Sequence, residues 1–450
     1  MEIGIGILML LAYAGLVVYT FKGGSIQIGF LIITVIYTAL ALIGNNFISS
    51  EAFLAANAGS VPANIVEAMT NVFQKGAESY GANLVNVMFG AWFGQVILET
   101  RIAETIIRKT VELDGDRPGL TMILLSIICT LIFSGIYGAG GVIAIGVIVL
   151  PILTSLGIPK AVALFSYIAS VGAALFINPV QHNQWVTLFG IGDTYSYQQF
   201  FNWGIIALVI QIIILSIFSL IYLRKEKAYA WAAQTDVPSE EKPGKVPGIA
   251  LLAPIIPVFL LYVFKIPVIA GFLIAGFFAM AVCGKMKRFK DTAYLFSKNF
   301  HDGVVDVAPF MGFLLTVGMF NAAAALAAPY LGILLNGVNL QSPLLVCALA
   351  GILAPLALFR GPLTLAGAGP ATAKILTTIG FSSPFVLMVL GTTTLSMHIS
   401  GCFTQSWTAW GIGYTKVPTN DWLKKSVPAC WVFCIAILAY TFIVYGSTAF

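Results

Sequence analysis

Apolar residues run in long blocks along this chain, and polar or charged residues are confined to the gaps between them. The blocks fall at 4–21, 26–45, 80–98, 119–137, 140–157, 161–178, 203–223, 247–264, 267–284, 304–326, 343–359, 361–379, 384–401 and 427–447. Each is about as long as a helical membrane span requires. The pattern predicts an all-α polytopic membrane protein. Residues 46–79 are semi-polar, carry Glu51, Glu67 and Glu78, and read as a surface or interfacial amphipathic arm.

Composition sharpens this by exclusion. Of 450 residues, 59% are hydrophobic and 9% charged, against about 25% charged in soluble domains. A soluble enzyme, a disordered chain and a disulfide scaffold are thereby excluded. The net charge of +5 lies in short clusters without the basic stripe that tracks phosphates, so no nucleic-acid partner is expected. The six cysteines form no C-x-x-C pair and read as small buried hydrophobes, with no metal site. Residues 4–21, preceded by Glu2 as their only charge, read as a retained first span.

Lys and Arg then orient the blocks. With alternate connections on one side, that side collects 19 of the 23 Lys and Arg, and the other only Lys75 and Lys265. Such a bias marks the cytoplasmic face and places both termini outside. The expected setting is the bilayer of a bacterial-type plasma (cell inner) membrane. The most polar stretch, 224–245, contains Pro238 to Gly244 and reads as a cytoplasmic linker between residues 1–223 and 246–450.

These two parts resemble each other. At an offset of 223, Gly138 matches Gly361, Gly146 matches Gly369, Ile152-Leu153-Thr154 matches Ile375-Leu376-Thr377, and Gly157 matches Gly380. After a slip of two, Gln184 matches Gln405, Thr187 matches Thr408, Gly190-Ile191-Gly192 matches Gly411-Ile412-Gly413, and Thr194 matches Thr415. An odd number of blocks per part predicts two inverted repeats, each with about five transmembrane helices and a re-entrant hairpin, as secondary transporters use.

Two stretches in each repeat are poor spanning helix. The first pair is Ser134 to Gly141 and Pro355 to Pro370, rich in glycine and proline. Such backbone survives in a membrane only where it lines a polar cavity, so these read as hairpin tips. An ordinary turn between two complete spans is the alternative. The second pair is Asn178-Pro179 to Trp185 and Ser396 to Gln405, which read as helix breaks holding a substrate or ion. A polar loop at the membrane surface is the alternative. Candidate substrate contacts are Ser134, Tyr137, Gly138, Gly140 and Gly141 on the first tip, and Arg360, Gly361 and Thr364 on the second. The breaks add Asn178, Gln181, His182, Asn183 and Gln184, then Ser396, His398, Ser400, Thr404 and Gln405.

Arg360 is the sharpest of these. Residues 307–359 carry no charge, and the next after Arg360 is Lys374. Charge inside a membrane is expensive and functional by default. A substrate carboxylate held by the guanidinium fork would supply the missing partner; a cytoplasmic turn anchor is the bland alternative. Asp302 and Asp306 offer carboxylates for a coupling proton or sodium ion, but a place at the membrane interface is the better reading of the pair.

The layout over nearly the whole chain resembles the ion transporter superfamily, with its citrate, gluconate and C4-dicarboxylate carriers. Ser134 to Leu153 looks like that family's first hairpin, and Gly172 to Gln184 like its first broken helix. The resemblance implies a homodimer, a substrate held between tips and breaks, and elevator movement. The Ser-Asn-Thr tips of the sodium/dicarboxylate branch are replaced here by Gly138 to Gly141 and Arg360 to Thr364. No H-E-x-x-H, P-loop lysine or nucleophile elbow occurs. The expectation is therefore no enzyme and no cofactor, but a secondary transporter (a symporter in type) of a small organic anion, coupled to Na+ or H+. A cation/proton antiporter of the same fold is the alternative.

The charge bias yields a topology test. Cysteines placed at Ser239 and Ser196 should react with impermeant thiol reagent from opposite sides of the membrane. Equal labelling of both from outside would contradict the orientation.

Overall fold

The chain's computed structural model describes residues 2–22, 24–50, 53, 64–114, 117–225, 246–335 and 342–450. The linker expected at 224–245 lies, from 226 on, outside the described residues. The apolar blocks form helices, and no strand occurs among the described residues.

Helices α1 (Glu2–Phe21) and α2 (Ile26–Ile43) are followed by α3 (Ile65–Glu99), α4 (Ile102–Asp114) and α5 (Pro118–Gly135). Next come α6 (Ala139–Ser155), α7 (Lys160–Ala174), α8 (Pro179–Phe189) and α9 (Tyr197–Lys225). The second part begins with α10 (Gly248–Phe264), α11 (Val268–Val282) and α12 (Phe289–Leu335). It continues with α13 (Pro343–Ile352), a 3₁₀ turn at Ala354–Arg360, α14 (Gly369–Thr378), α15 (Ser383–Ile399), α16 (Ser406–Thr415) and α17 (Thr419–Tyr445). Among the described residues 7 helices are long and apolar enough to cross a membrane, or 9 if each of two bent pairs is one span. Proline occupies the first turn of α5, α8, α13, α14 and α15, where its missing N–H costs nothing.

Two helices extend well back beyond their apolar blocks, and one connection is itself a helix. The helix ending at Glu99 starts at Ile65, so residues 65–79 continue a span instead of forming a separate surface arm. Asn64 caps its first turn through the Glu67 N–H at 2.9 Å. The helix then packs on α12, where a Cβ on Gly318 would lie 2.1 Å from the Gly76 carbonyl oxygen. Helix α12 extends back to Phe289 through residues that read as a charged connection. Its apolar face explains this: Phe296 and Phe300 pack at 5.1 and 5.4 Å, ring to ring, on Trp92 and Phe89 of α3. The basic connection at 99–118 is itself largely helical, as α4.

The order hairpin, broken pair, long helix occurs twice: α5–α6, α7–α8, α9, and then α13–α14, α15–α16, α17. The likeness extends to single hydrogen bonds. At the end of α6, Leu156, Gly157 and Ile158 donate to Ile152, Thr154 and Leu153. At the end of α14, Ile379, Gly380 and Phe381 donate to Ile375, Thr377 and Leu376. Gly157 and Gly380 both have positive φ, 80° and 112°, as a left-handed C-cap requires. The likeness ends after the breaks. Gly190 caps α8 at φ 66°, whereas its match Gly411 lies inside α16. There a Cβ would meet Leu164 at 2.5 Å, so close packing explains that glycine.

Two packed groups result. Helix α12 holds α1, α2 and α3, with Phe30 stacked on Phe320 at 4.9 Å. Helix α7, buried from Val162 to Ala174, is wrapped by α5, α6, α9, α16 and α17. Trp203 of α9 donates to the Thr441 hydroxyl of α17 at 3.1 Å.

Candidate functional site

Both tips and both breaks border one cavity of about 440 Å³. Tyr137, Gly138 and Ala139 come from the first tip, and Arg360, Leu365 and Ala366 from the second. Gln181, Gln184 and Trp185 come from the first break, and Ile399, Gln405, Ser406 and Trp407 from the second. Helix α12 closes the wall with Asp306, Phe310 and Phe313. Among the described residues, Asp306 and Arg360 are the only charged residues lining it.

The first tip is a tight turn. Gly138 has φ 121°, a value that side chains rarely adopt, and α6 starts at the next residue. The Asp306 carboxylate accepts from the Gly140 N–H at 2.8 Å, so a side chain of α12 satisfies one of the open donors at the start of α6. A Cβ on Gly140 would approach that carboxylate to 2.5 Å. Tyr137 donates to the Gln184 side-chain oxygen at 3.2 Å, which ties the tip to the first break. The Gln184 side-chain nitrogen is buried with no hydrogen-bond partner among the described residues.

Asn178 builds the first break. Its side-chain oxygen accepts from the N–H groups of Val180 and Gln181 at 2.9 and 3.3 Å. Its side-chain nitrogen donates to the carbonyls of Phe133 and Ile136, both at 3.0 Å. Asn178 is thus a fully occupied strut between break and tip, and it does not line the cavity.

The second tip is pinned to the second break. The Thr394 hydroxyl accepts from the Leu365 N–H at 2.8 Å, and Thr393 donates to the Leu363 carbonyl at 2.5 Å. These threonines lead into a π-helical turn at Thr394–Ile399, a device frequent at functional sites. Arg360 sits at φ 62°, and its guanidinium donates to the Ala366 carbonyl at 3.3 Å. Among the described residues, no carboxylate pairs with it.

Of the residues expected from sequence, Tyr137, Gly138, Gln181, Gln184, Arg360 and Gln405 line the cavity. The others stand behind it. Ser134 donates to the Leu131 carbonyl. A Cβ on Gly141 would press on Ile136, and one on Gly361 on the Leu356 carbonyl. Thr364 accepts the Ala366 N–H, and Thr404 meets the Cys402 sulfur at 3.0 Å. His182 lies against the Tyr195 carbonyl, among Tyr195, Tyr197 and Phe200. His398 is buried, and Asn183 is half-buried off the cavity wall. Ser396 and Ser400 bind Gln211 of α9 at 2.7 and 3.1 Å. Asp302 contacts His301 away from the cavity.

Gln211, Thr393 and Thr394 were not among the sequence candidates. A run of three threonines at 392–394 inside an apolar block was the available signal for two of them. No group of three His, Cys, Asp or Glu able to hold a metal occurs among the described residues.

No family profile matches the sequence, and no curated protein does. Solved structures do match. One is the crystal structure of the YdaH transporter of Alcanivorax borkumensis, described as having an unusual topology. The two folds agree at a TM-score of 0.61 and 12% identity, over 93% of this chain and 98% of that one. The fold is that of a polytopic membrane protein of this kind.

Replacing Asn178 by Leu should lower stability by about 2–4 kcal/mol, because two carbonyls and a helix N-terminus lose their partner at once. Unfolding in detergent measures it. An unchanged midpoint would remove Asn178 from the role of strut.

Proposed function

We propose that the chain is a secondary active transporter of a small organic anion, a carboxylate such as citrate, gluconate, a dicarboxylate or an amino acid. A proton or sodium gradient drives it. The two parts act as inverted repeats in an elevator-type homodimer of the plasma membrane, as in the ion transporter superfamily. The observation that carries the reading is Arg360, with no carboxylate partner among the described residues, at a cavity bordered by both tips and both breaks. A cavity of this volume suits a small ligand. Arg360 supplies a fork for a carboxylate, the amides of Gln181, Gln184 and Gln405 supply neutral polar groups, and Tyr137, Trp185 and Trp407 supply walls. The structural match to a transporter agrees with this reading.

Asp306 fits as the coupling residue. Its carboxylate lines the same cavity, and its hydrogen bond from the Gly140 N–H holds the first tip. Protonation or a bound sodium ion would weaken that hold. The same observation favours a second reading, a cation/proton antiporter in which Asp306 alone carries the cargo.

Uptake into proteoliposomes from a panel of carboxylates separates the two. Arg360→Lys keeps charge without the fork and should be partly tolerated. Arg360→Gln should weaken apparent affinity by about 1.5–3 kcal/mol, on the order of 10- to 150-fold. Asp306→Asn should abolish gradient-driven accumulation while sparing anion exchange. If both Arg360 variants match the native protein at equal expression, the anion reading fails. Sodium/proton exchange lost in Asp306→Asn, with no carboxylate carried, would establish the antiporter.

A further inference from the structure

A second cavity of about 360 Å³ adjoins the first. It is formed by the end of α8, Asn321 and Ala324 of α12, and α14 with the start of α15. Leu188 lines both cavities. The carbonyl of Leu188 is held by the side-chain nitrogen of Asn321 at 3.3 Å, and that nitrogen also reaches the Tyr80 hydroxyl at 3.4 Å. The partition between the cavities is thus fastened to α12.

Lys374 lines this second cavity from α14, and among the described residues no acidic residue does. It is half-buried within an apolar segment. Among the described residues its ammonium has neither an ion-pair nor a hydrogen-bond partner. The hydroxyls of Thr377 and Thr378 donate to the Lys374 carbonyl at 3.0 and 2.8 Å, which leaves their oxygens no donor to offer the cavity. Among the described residues, the lining side-chain donors left without a partner are the Lys374 ammonium and the Ser383 hydroxyl. A lone cation in an apolar segment calls for an anion or water, and a cleft with charge of one sign raises the local concentration of its counter-ion.

We propose that this cavity is a second anion station. A carboxylate pauses against Lys374 there, one partition away from Arg360, on its way to or from the central cavity. The inference rests on the anion-transport reading. The same chemistry would accept the phosphate of a lipid headgroup, and the test separates these sources.

The test places a cysteine at Thr377 in the full chain and compares two methanethiosulfonates, one carrying a sulfonate and one a trimethylammonium. The sulfonate reagent should be favoured on the order of tenfold relative to a free thiol. Lys374→Gln should remove the preference. Succinate or citrate, whichever the native protein transports, should slow labelling in the Arg360→Gln background and fail to do so in Lys374→Gln. Equal rates for both reagents with Lys374 present would overturn the proposal. Protection that disappears with Arg360→Gln would overturn it too, since the signal would then come from the central cavity. Protection by phosphatidylglycerol nanodiscs, relative to phosphatidylcholine, with none by the carboxylates, assigns the cavity to lipid and overturns the station. If the native protein transports no carboxylate, the transport reading fails, while the charge preference at residue 377 remains readable.

Discussion

A backbone inside lipid has no water to turn to, so every interruption of a helix must find its partners within the protein. This chain interrupts its helices at two tips and two breaks, and each is paid in side-chain hydrogen bonds. Asn178 serves the first break and the first tip together. Asp306 serves the start of α6. Thr393 and Thr394 hold the second tip, and Gln211 holds the serines of the second break. Asn178 joins the first break to the first tip, and the two threonines join the second break to the second tip, so each tip is held against its own break and all four border the cavity.

The positions of the interruptions are legible in the sequence because glycine, proline and Asn-Pro leave the helix for local reasons. The likeness of α6 and α14 is legible for the same kind of reason: Ile-Leu-Thr followed by glycine makes the same C-cap in both. The partners are not legible. Asp306 lies 166 residues from Gly140, and nothing around it in sequence points there. The serines at 396 and 400 look like ligands when read alone, and Gln211 looks like an isolated polar residue in an apolar helix. Only their contact shows that they satisfy one another. The extent of α12 was hidden too, since its charged first turns read as a connection until Phe296 and Phe300 meet α3.

The tips are alike in place and opposite in chemistry. The first has no charge of its own and takes a carboxylate from α12; the second carries Arg360. On the proposed transport reading, a cavity with one fixed charge of each sign, neither paired with the other by an ion pair among the described residues, would give an anion and a coupling cation separate places. That separation is what a coupled carrier requires: occupancy of one place changes the cost of occupying the other.

The most direct measurement is an experimental structure of the full chain in a lipid nanodisc with a transported carboxylate bound, brominated so that it is recognised without ambiguity. The account predicts the bromine in the cavity between Tyr137 and Gln405, with the carboxylate within hydrogen-bond distance of the Arg360 guanidinium. Ligand bound elsewhere, with Arg360 still turned to the Ala366 carbonyl, would contradict it.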